Sequence, residues 1–429
     1  MSVDARAFLQ RLFTLAVKAA HPSSFLPPQL PEPPQVRLIV LAAGKAAGAM
    51  AEVAERHYLD DCRLAPDRFA GIAVTRHGYA RPTRALAMVE AGHPVPDQAG
   101  VDATERVLRL AGEARRDDIV LVLLSGGASA NWIAPAAGVT LAEKQALTRA
   151  LLRSGATIGE INTLRKHLSR IKGGRLAVHA QPARVLTLAV SDVPGDDPAV
   201  IGSGPTAPDP STLADAAGIV RRFALDLPPS IAAALDDPRN ETPKPGDPAF
   251  GACEFRLAVR PADAFRAARE AIAAAGYDCV FLGDQIEGEA REVARDHITQ
   301  ARELLEAGRR AVILSGGELT VTIRGHGRGG PNQEYALAAA AELGGTHGIT
   351  VLAADTDGTD GGGGDADSPA GAVVDGRTAT LAHALGLDPA HFLADNDSTG
   401  FFEPVGGLLT PGPTHTNVND FRAIFVDPA

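Results

Sequence analysis

Short apolar runs of strand length alternate with helix-length segments along this chain, and that alternation constrains the fold more than any other feature. VRLIVLAAGK (36–45) leads into AAGAMAEVAERHY, and GIAV (71–74), DIVLVLLSGG (118–127) and VLTLAVSD (185–192) follow, each separated by helical sequence. The pattern predicts a parallel sheet with helices on both faces. A polar, proline-rich stretch, DDPRNETPKPGDPAFG (236–251), interrupts it. The pattern restarts with FRLAV (255–259), a helix over 261–275, YDCVFLG (277–283), a helix over 288–307 and AVILSGG (311–317). The expectation is two α/β domains, 1–245 and 246–429.

At 429 residues the chain has ample length to bury two cores. A net charge of −11 with no cationic stripe argues against a nucleic-acid surface. Three widely spaced cysteines, Cys62, Cys253 and Cys279, form neither a disulfide framework nor a CxxC metal pattern, so a reducing cytoplasm is expected. FLQRLFTLAVKAA near the start is broken by Arg11 and Lys18 and has helical spacing, which reads as an amphipathic surface helix followed by a proline-rich linker (21–35). No run reaches the length of a membrane span. The sequence does not set the oligomeric state and leaves a homo-oligomer open.

Two strands run into the same tripeptide, Ser125-Gly126-Gly127 and Ser315-Gly316-Gly317. A strand ending in glycines at the carboxyl edge of such a sheet offers bare backbone N–H groups to an anion; the alternative is a tight turn. Gly44 and Lys45 lie between a strand and a helix start, another anion-favouring place, although a lysine there is often only solvated. The loop is not a phosphate-binding Walker A motif, because Ile39 and Ala46 occupy its glycine and hydroxyl positions, and no dinucleotide GxGxxG fingerprint is present. In GEINTLRKHLSRIKGGR (159–175), helical spacing places Asn162, Lys166 and Arg170 on one face, as a ligand strip or a solvated basic face. Ser191 and Asp192 follow a strand into a loop rich in Gly, Pro and Asp. A basic glycine loop carrying Arg324, His326 and Arg328 feeds a helix opening at Asn332 and Glu334, which suits a phosphate or carboxylate. Asp355, Asp357 and Asp360 follow another strand, the kind of carboxylates Mg²⁺ uses together with substrate phosphates.

The ordered set AAGKAAGAM, GHPVPD, LLSGGASA, EINTLRKHLSRIKGGRLA, SDVPGDDPAVIGSGPT, SGGELTVTIRGHGRGGPNQE, DTDGTDG, DSTGFFE and GPTHTNVND resembles the glycerate 2-kinases of the MOFRL type, a family in which some members carry the label hydroxypyruvate reductase. The resemblance spans residues 40 to about 420. It implies two three-layer α/β/α domains, Rossmann-like first and a smaller MOFRL-type second, with an active site in the cleft between them. It implies transfer of the γ-phosphoryl group of ATP to the 2-hydroxyl of D-glycerate with Mg²⁺, small molecules being the only partners. Lys45 matches the family's essential lysine and Asp192 its SDV aspartate. Pro331 stands where some members have arginine, which shifts the functional arginine to Arg328, with Arg324 second. On that reading Gly44, the two SGG segments, Asn162, Lys166, Asn332 and Glu334 contact substrate or phosphate, and Asp355 and Asp357 hold the metal. The competing expectations are an NAD(P)H-dependent hydroxypyruvate reductase and a non-catalytic binder of sugar acids or nucleotides.

Overall fold

The computed structural model describes residues 3–361 and 365–428. These sort into two compact units, Phe25–Val259 and a second in which the first 24 residues join the chain from Arg260 onward. Helix α1 (Ala5–Ala20) opens the chain and belongs to the second unit.

The Phe25–Val259 unit is built from β1 (Leu38–Ala43), α2 (Ala47–Arg56), β2 (Phe69–Arg76), β3 (Ala87–Ala91), α3 (Gln98–Gly112), β4 (Ile119–Leu124), α4 (Leu141–Ser154), α5 (Ile158–His167), β5 (Arg184–Val190) and β6 (Cys253–Val259). Its six strands lie in the order β3-β2-β1-β4-β5-β6 and every pairing is parallel. β1 is buried at every position, so both faces need cover. Ile39, Leu41, Val120 and Val122 share a core with Ala103 and Val107 of α3, while α2 packs on β1, β2 and β4. Helices α4 and α5 start where a Thr-x-x-Glu box predicts: Thr140 with Glu143, and Thr157 with Glu160.

The expected boundary at 245 moves to 259/260. FRLAV forms most of β6, which pairs with β5 and completes the first sheet. The proline-rich stretch is not a linker between the domains: Asp209 N–H donates to Pro243 O at 3.0 Å and Thr242 Oγ1 donates to Asp209 at 3.0 Å, fastening it to the first unit. A strand's own sequence does not say which sheet it extends.

The second unit adds α6 (Pro261–Ala274), β7 (Asp278–Gly283), α7 (Ala290–Glu306), β8 (Ala311–Gly317), α8 (Pro331–Leu343), β9 (Ile349–Asp355), β10 (Gly371–Asp375), β11 (Leu408–Leu409) and β12 (Asp420–Val426). Its sheet runs β11-β10-β9-β12-β8-β7, and only β7 and β8 pair in parallel. The parallel pattern thus does not continue: β9 reaches β10 with no intervening helix among the described residues, the connection an antiparallel pair permits. Helices α7 and α8 cover one face, with Ala294, Ile298 and Tyr335 packed among Ile313, Val351 and Ile424. α1 covers the other, its Phe8 ring 6.0 Å from both Tyr277 and Phe425 and its Phe13 ring 6.0 Å from Phe421. An ion pair from Arg6 to Asp375 (3.0 Å) and a hydrogen bond from Thr416 Oγ1 to Ala20 O (2.6 Å) hold it there. The amphipathic helix expected at the chain start is therefore an outer layer of the second unit, which is why the expected first domain loses residues 1–24. Among the described residues no helix is long and apolar enough to cross a membrane.

Candidate active site

The strand order of the first sheet reverses direction between β1 and β4. In an open α/β sheet that switch point, at the carboxyl ends of the strands, is where the diverging loops leave a crevice for a ligand. Parallel register aligns the ends: Ala43 of β1 lies beside Leu124 of β4, and Leu124 beside Ala189 of β5. Three loops therefore leave one edge, carrying Gly44 and Lys45, Ser125 to Gly127, and Asp192. Two of them are locked together. Lys45 N–H donates to Gly126 O at 2.8 Å, Ala46 N–H to Ser125 Oγ at 2.9 Å, and Ser125 N–H to Ala43 O at 3.0 Å. Gly44 makes this approach feasible: at φ +114° it adopts a backbone few side chains tolerate, and a Cβ there would stand 2.4 Å from both Ser125 O and Ser125 Oγ.

The second SGG does something else. Ser315, Gly316 and Gly317 do not form a loop after the strand; they are its last three residues, buried and paired with Arg422, Phe421 and Asp420 of β12. Ser315 Oγ accepts from Arg422 Nε at 3.2 Å. The glycines answer to close packing, since a Cβ on Gly316 would meet the Phe265 ring at 2.5 Å and one on Gly317 would meet Ile286 N at 2.2 Å. Sequence reasoning treated the two SGG segments as equivalent because the glycine signal for an open loop and for a crowded strand is the same.

The basic glycine loop is likewise not an open phosphate cradle. Its N–H groups are taken by the 395–397 segment: Arg324 and Gly325 donate to Asn396 Oδ1, His326 to Asp395 Oδ1, Gly327 to Asp395 O and Arg328 to Asp397 Oδ1. The α8 N-terminus, expected to receive a substrate anion, is filled by the protein's own Asp360, which accepts from Asn332 N–H at 2.9 Å and Gln333 N–H at 2.8 Å. Burial outweighs the pull of those N–H groups and leaves the Asp360 pKa up at about 7. Asn332 is buried, its Nδ2 donating to Asp360 and Asp420. Glu334 is buried and accepts from Arg291 Nε at 3.0 Å and Asn396 Nδ2 at 3.0 Å. Both side chains hold the fold where a substrate contact was expected. Arg324 and Arg328 are exposed, and Arg328 pairs with Glu403 at 2.9 Å.

In the first unit, α5 ends at His167, so Arg170 is not on the helix face expected for it; it pairs with Glu105. Lys166 is buried and donates to Asp209 Oδ1 at 2.6 Å, with Ser211 Oγ and Thr242 Oγ1 on the same carboxylate. Burial raises the Asp209 pKa, but the Lys166 ammonium and the Ser211 hydroxyl outweigh it and hold the group below its ordinary value. Asn162 is buried and accepts from Arg165 at 3.4 Å.

The donor set proposed for Mg²⁺ has the right chemistry, two hard carboxylates on one loop. Asp355 Oδ1 accepts from Asp357 N–H at 2.9 Å, and Asp357 Oδ1 accepts from Thr359 N–H at 2.8 Å. Among the described residues no group of three or more His, Cys, Asp or Glu side chains is arranged to hold an ion.

Sequence reasoning passed over a cavity of about 440 Å³ beside Gly127, lined also by His93, Lys144, Arg165 and Lys172. Lys144 and Arg149 come from α4, Arg165 from α5 and Lys172 from the turn after it; Arg165 and Lys172 belong to the basic run 159–175, but nothing local signals that they meet Lys144.

Two family descriptions match the chain, a domain of unknown function (DUF4147) over residues 8–236 and the MOFRL family over 311–420. An Agrobacterium vitis protein with a provisional hydroxypyruvate reductase name is 45% identical over 99% of this chain and 95% of its own length. The D-glycerate 2-kinase of Thermotoga maritima is 39% identical over 94% of each chain. The crystal structure of a glycerate kinase from Thermotoga maritima superposes with a TM-score of 0.85 at 37% identity, covering 98% of this chain and 99% of that one. The switch-point loops, both family matches and full-length similarity to the Thermotoga enzyme lead to one assignment: the chain belongs to the DUF4147/MOFRL family of glycerate 2-kinases.

Proposed function

We propose that this enzyme transfers the γ-phosphoryl group of ATP to the 2-hydroxyl of D-glycerate, giving 2-phosphoglycerate and ADP. The observation that carries the reading is the locked pair of loops at the β1/β4 switch point, present in a chain similar over nearly its whole length to a D-glycerate 2-kinase. Phosphoryl transfer needs positioning and charge stabilisation more than covalent help. Lys45 supplies a point charge to the phosphate or to the glycerate carboxylate, and Arg328 a planar fork. Asp192 orients the 2-hydroxyl and accepts its proton as the oxygen attacks phosphorus. Asp355 and Asp357 are the residues to hold Mg²⁺, which when bound neutralises charge on the phosphates. The reductase name of the Agrobacterium relative finds no support in the β1–α2 turn, which lacks a dinucleotide fingerprint.

The test is ADP release from MgATP and D-glycerate, with the product passed to enolase and no phosphoglycerate mutase present. ADP together with phosphoenolpyruvate is the expected result. ADP without phosphoenolpyruvate moves the phosphate to the 3-hydroxyl, and no ADP rejects the kinase.

The arginine assignment has its own test. An exposed ion pair such as Arg328–Glu403 is screened by water and contributes little, so Arg328→Ala should leave the melting temperature nearly unchanged. Losing a charged hydrogen bond to the transferring group lowers kcat/KM at least about tenfold. Steady-state kinetics beside a thermal melt reads both, and unchanged kcat/KM would pass the role to Arg324.

A further inference from the structure

The cavity beside Gly127 holds an excess of positive charge that the fold does not neutralise. Lys144 and Lys172 are buried, at 6% and 1% exposure, and Arg165 is half-buried on α5. None of the three makes an ion pair with a carboxylate among the described residues. Lys144 Nζ donates to Leu168 O at 2.7 Å, and Lys172 Nζ donates to Ser129 O and Trp132 O, both at 2.7 Å. An ammonium carries three donors, so Lys144 keeps two and Lys172 one beyond those that pin the backbone. Burial lowers the Lys144 pKa to about 7, with Arg165 adding to the shift, and lowers that of Lys172 further, with both neighbours contributing. With the exposed Arg149 of α4, four Lys and Arg side chains line the cavity, and the crowding that lowers the two lysines is relieved by an anion placed among them.

The rest of the lining narrows the anion's kind. Val95, Ile133 and Leu152 give an apolar wall, and Leu152 stays 62% exposed at the mouth. Gln145, also in the lining, is oriented by donating to Pro96 O at 2.7 Å. A three-carbon acid would leave most of 440 Å³ empty, whereas a flat base on an apolar wall with a polyphosphate on a cationic one fills it. Gly127 joins this cavity to the switch-point loops, since a Cβ at Gly127 would stand 3.4 Å from Lys45 Cγ. In the second unit, the glycine-loop N–H groups and the α8 N-terminus are already taken by the protein's own side chains and carbonyls.

We propose that this cavity is the nucleoside triphosphate site, with the base against Val95, Ile133 and Leu152 and the phosphates toward Lys144, Arg165, Lys172 and the Gly127 loop. The assignment rests on the kinase reading and adds to it which SGG segment serves ATP: the first.

Calorimetric titration of the full-length protein with MgADP, without glycerate, tests it apart from turnover. Leu152 is exposed and Arg165 half-buried, so melts accompany both variants: Arg165→Ala removes a cation, and Leu152→Glu sets a negative charge and a polar group at the mouth. Each should raise the MgADP Kd at least about tenfold, with circular dichroism melts close to wild type and KM for glycerate within about twofold. If both variants bind MgADP as wild type does while wild type phosphorylates glycerate, the cavity assignment is overturned and the kinase reading stands. If the variants weaken MgADP as expected but wild type turns over no glycerate, the cavity holds and the glycerate reading falls. Wild type that binds neither MgADP nor MgATP overturns the cavity.

Discussion

Lys166→Met is expected to destabilise the Phe25–Val259 unit by about 3–5 kcal/mol, because it leaves a fully buried carboxylate without its counter-ion. Asp209 keeps only hydroxyl and N–H partners from Ser211 and Thr242 once the ammonium is gone. Urea unfolding of wild type and variant reads the difference directly. The pH dependence gives the loss a signature. In wild type the Asp209 pKa lies below its unfolded value, so its stabilisation is complete above about pH 4 and disappears as pH falls through the folded value. In the variant the unpaired carboxylate is pushed up instead, so acid relieves it, and the gap between the two proteins should narrow below about pH 4. A variant as stable as wild type but with a raised KM for ATP or glycerate would return Lys166 to the ligand role that helical spacing with Asn162 and Arg170 suggests.

Gly44→Ala should lower kcat/KM by about a hundredfold or more. A residue forced to φ +114° costs about 1–3 kcal/mol, and the added methyl would also stand 2.4 Å from Ser125 O and Oγ. Those atoms cannot retreat freely, because Ser125 Oγ accepts from Ala46 N–H and its own N–H is bound to Ala43 O. Relief must come from displacing Lys45 or the first SGG loop, and about 3 kcal/mol of lost transition-state stabilisation is that hundredfold. Gly112→Ala is the matched control: it ends α3, has nothing within 4 Å of the new Cβ, and should leave kinetics unchanged. If Gly44→Ala turns over within about threefold of wild type, the locked loops are not part of the catalytic geometry.

Both predictions turn on how far local sequence reaches. Period and capping are local properties, so the strands of the first sheet, the Thr-x-x-Glu starts of α4 and α5, and the strand-to-helix turns bearing Gly44 and Ser125 are legible from the chain alone. So is the family, because many short motifs in fixed order constrain it together. What Lys166, Asn332 and Glu334 do is not local. Each looks like a ligand residue in a polar motif, and each is claimed by a partner at least 28 residues away: Asp209, Asp360 and Arg291. The reverse holds for Lys144, ordinary in sequence and brought only by packing to one cavity with Arg165 and Lys172 of the basic run.

By itself the sequence determined the α/β class, the helix starts, the loops at the β1/β4 edge and the kinase family, since these follow from spacing and from motifs read in order. Tertiary structure alone decided that α1 covers the second sheet, that FRLAV completes the first, and that one SGG leaves its strand in a turn locked to Lys45 while its copy stays paired inside a strand. It also decided which cations face a cavity and which are spent on the fold. The physical reason is the same throughout: a charge or a glycine has no fixed role until its distant neighbours either satisfy it or leave it facing a ligand.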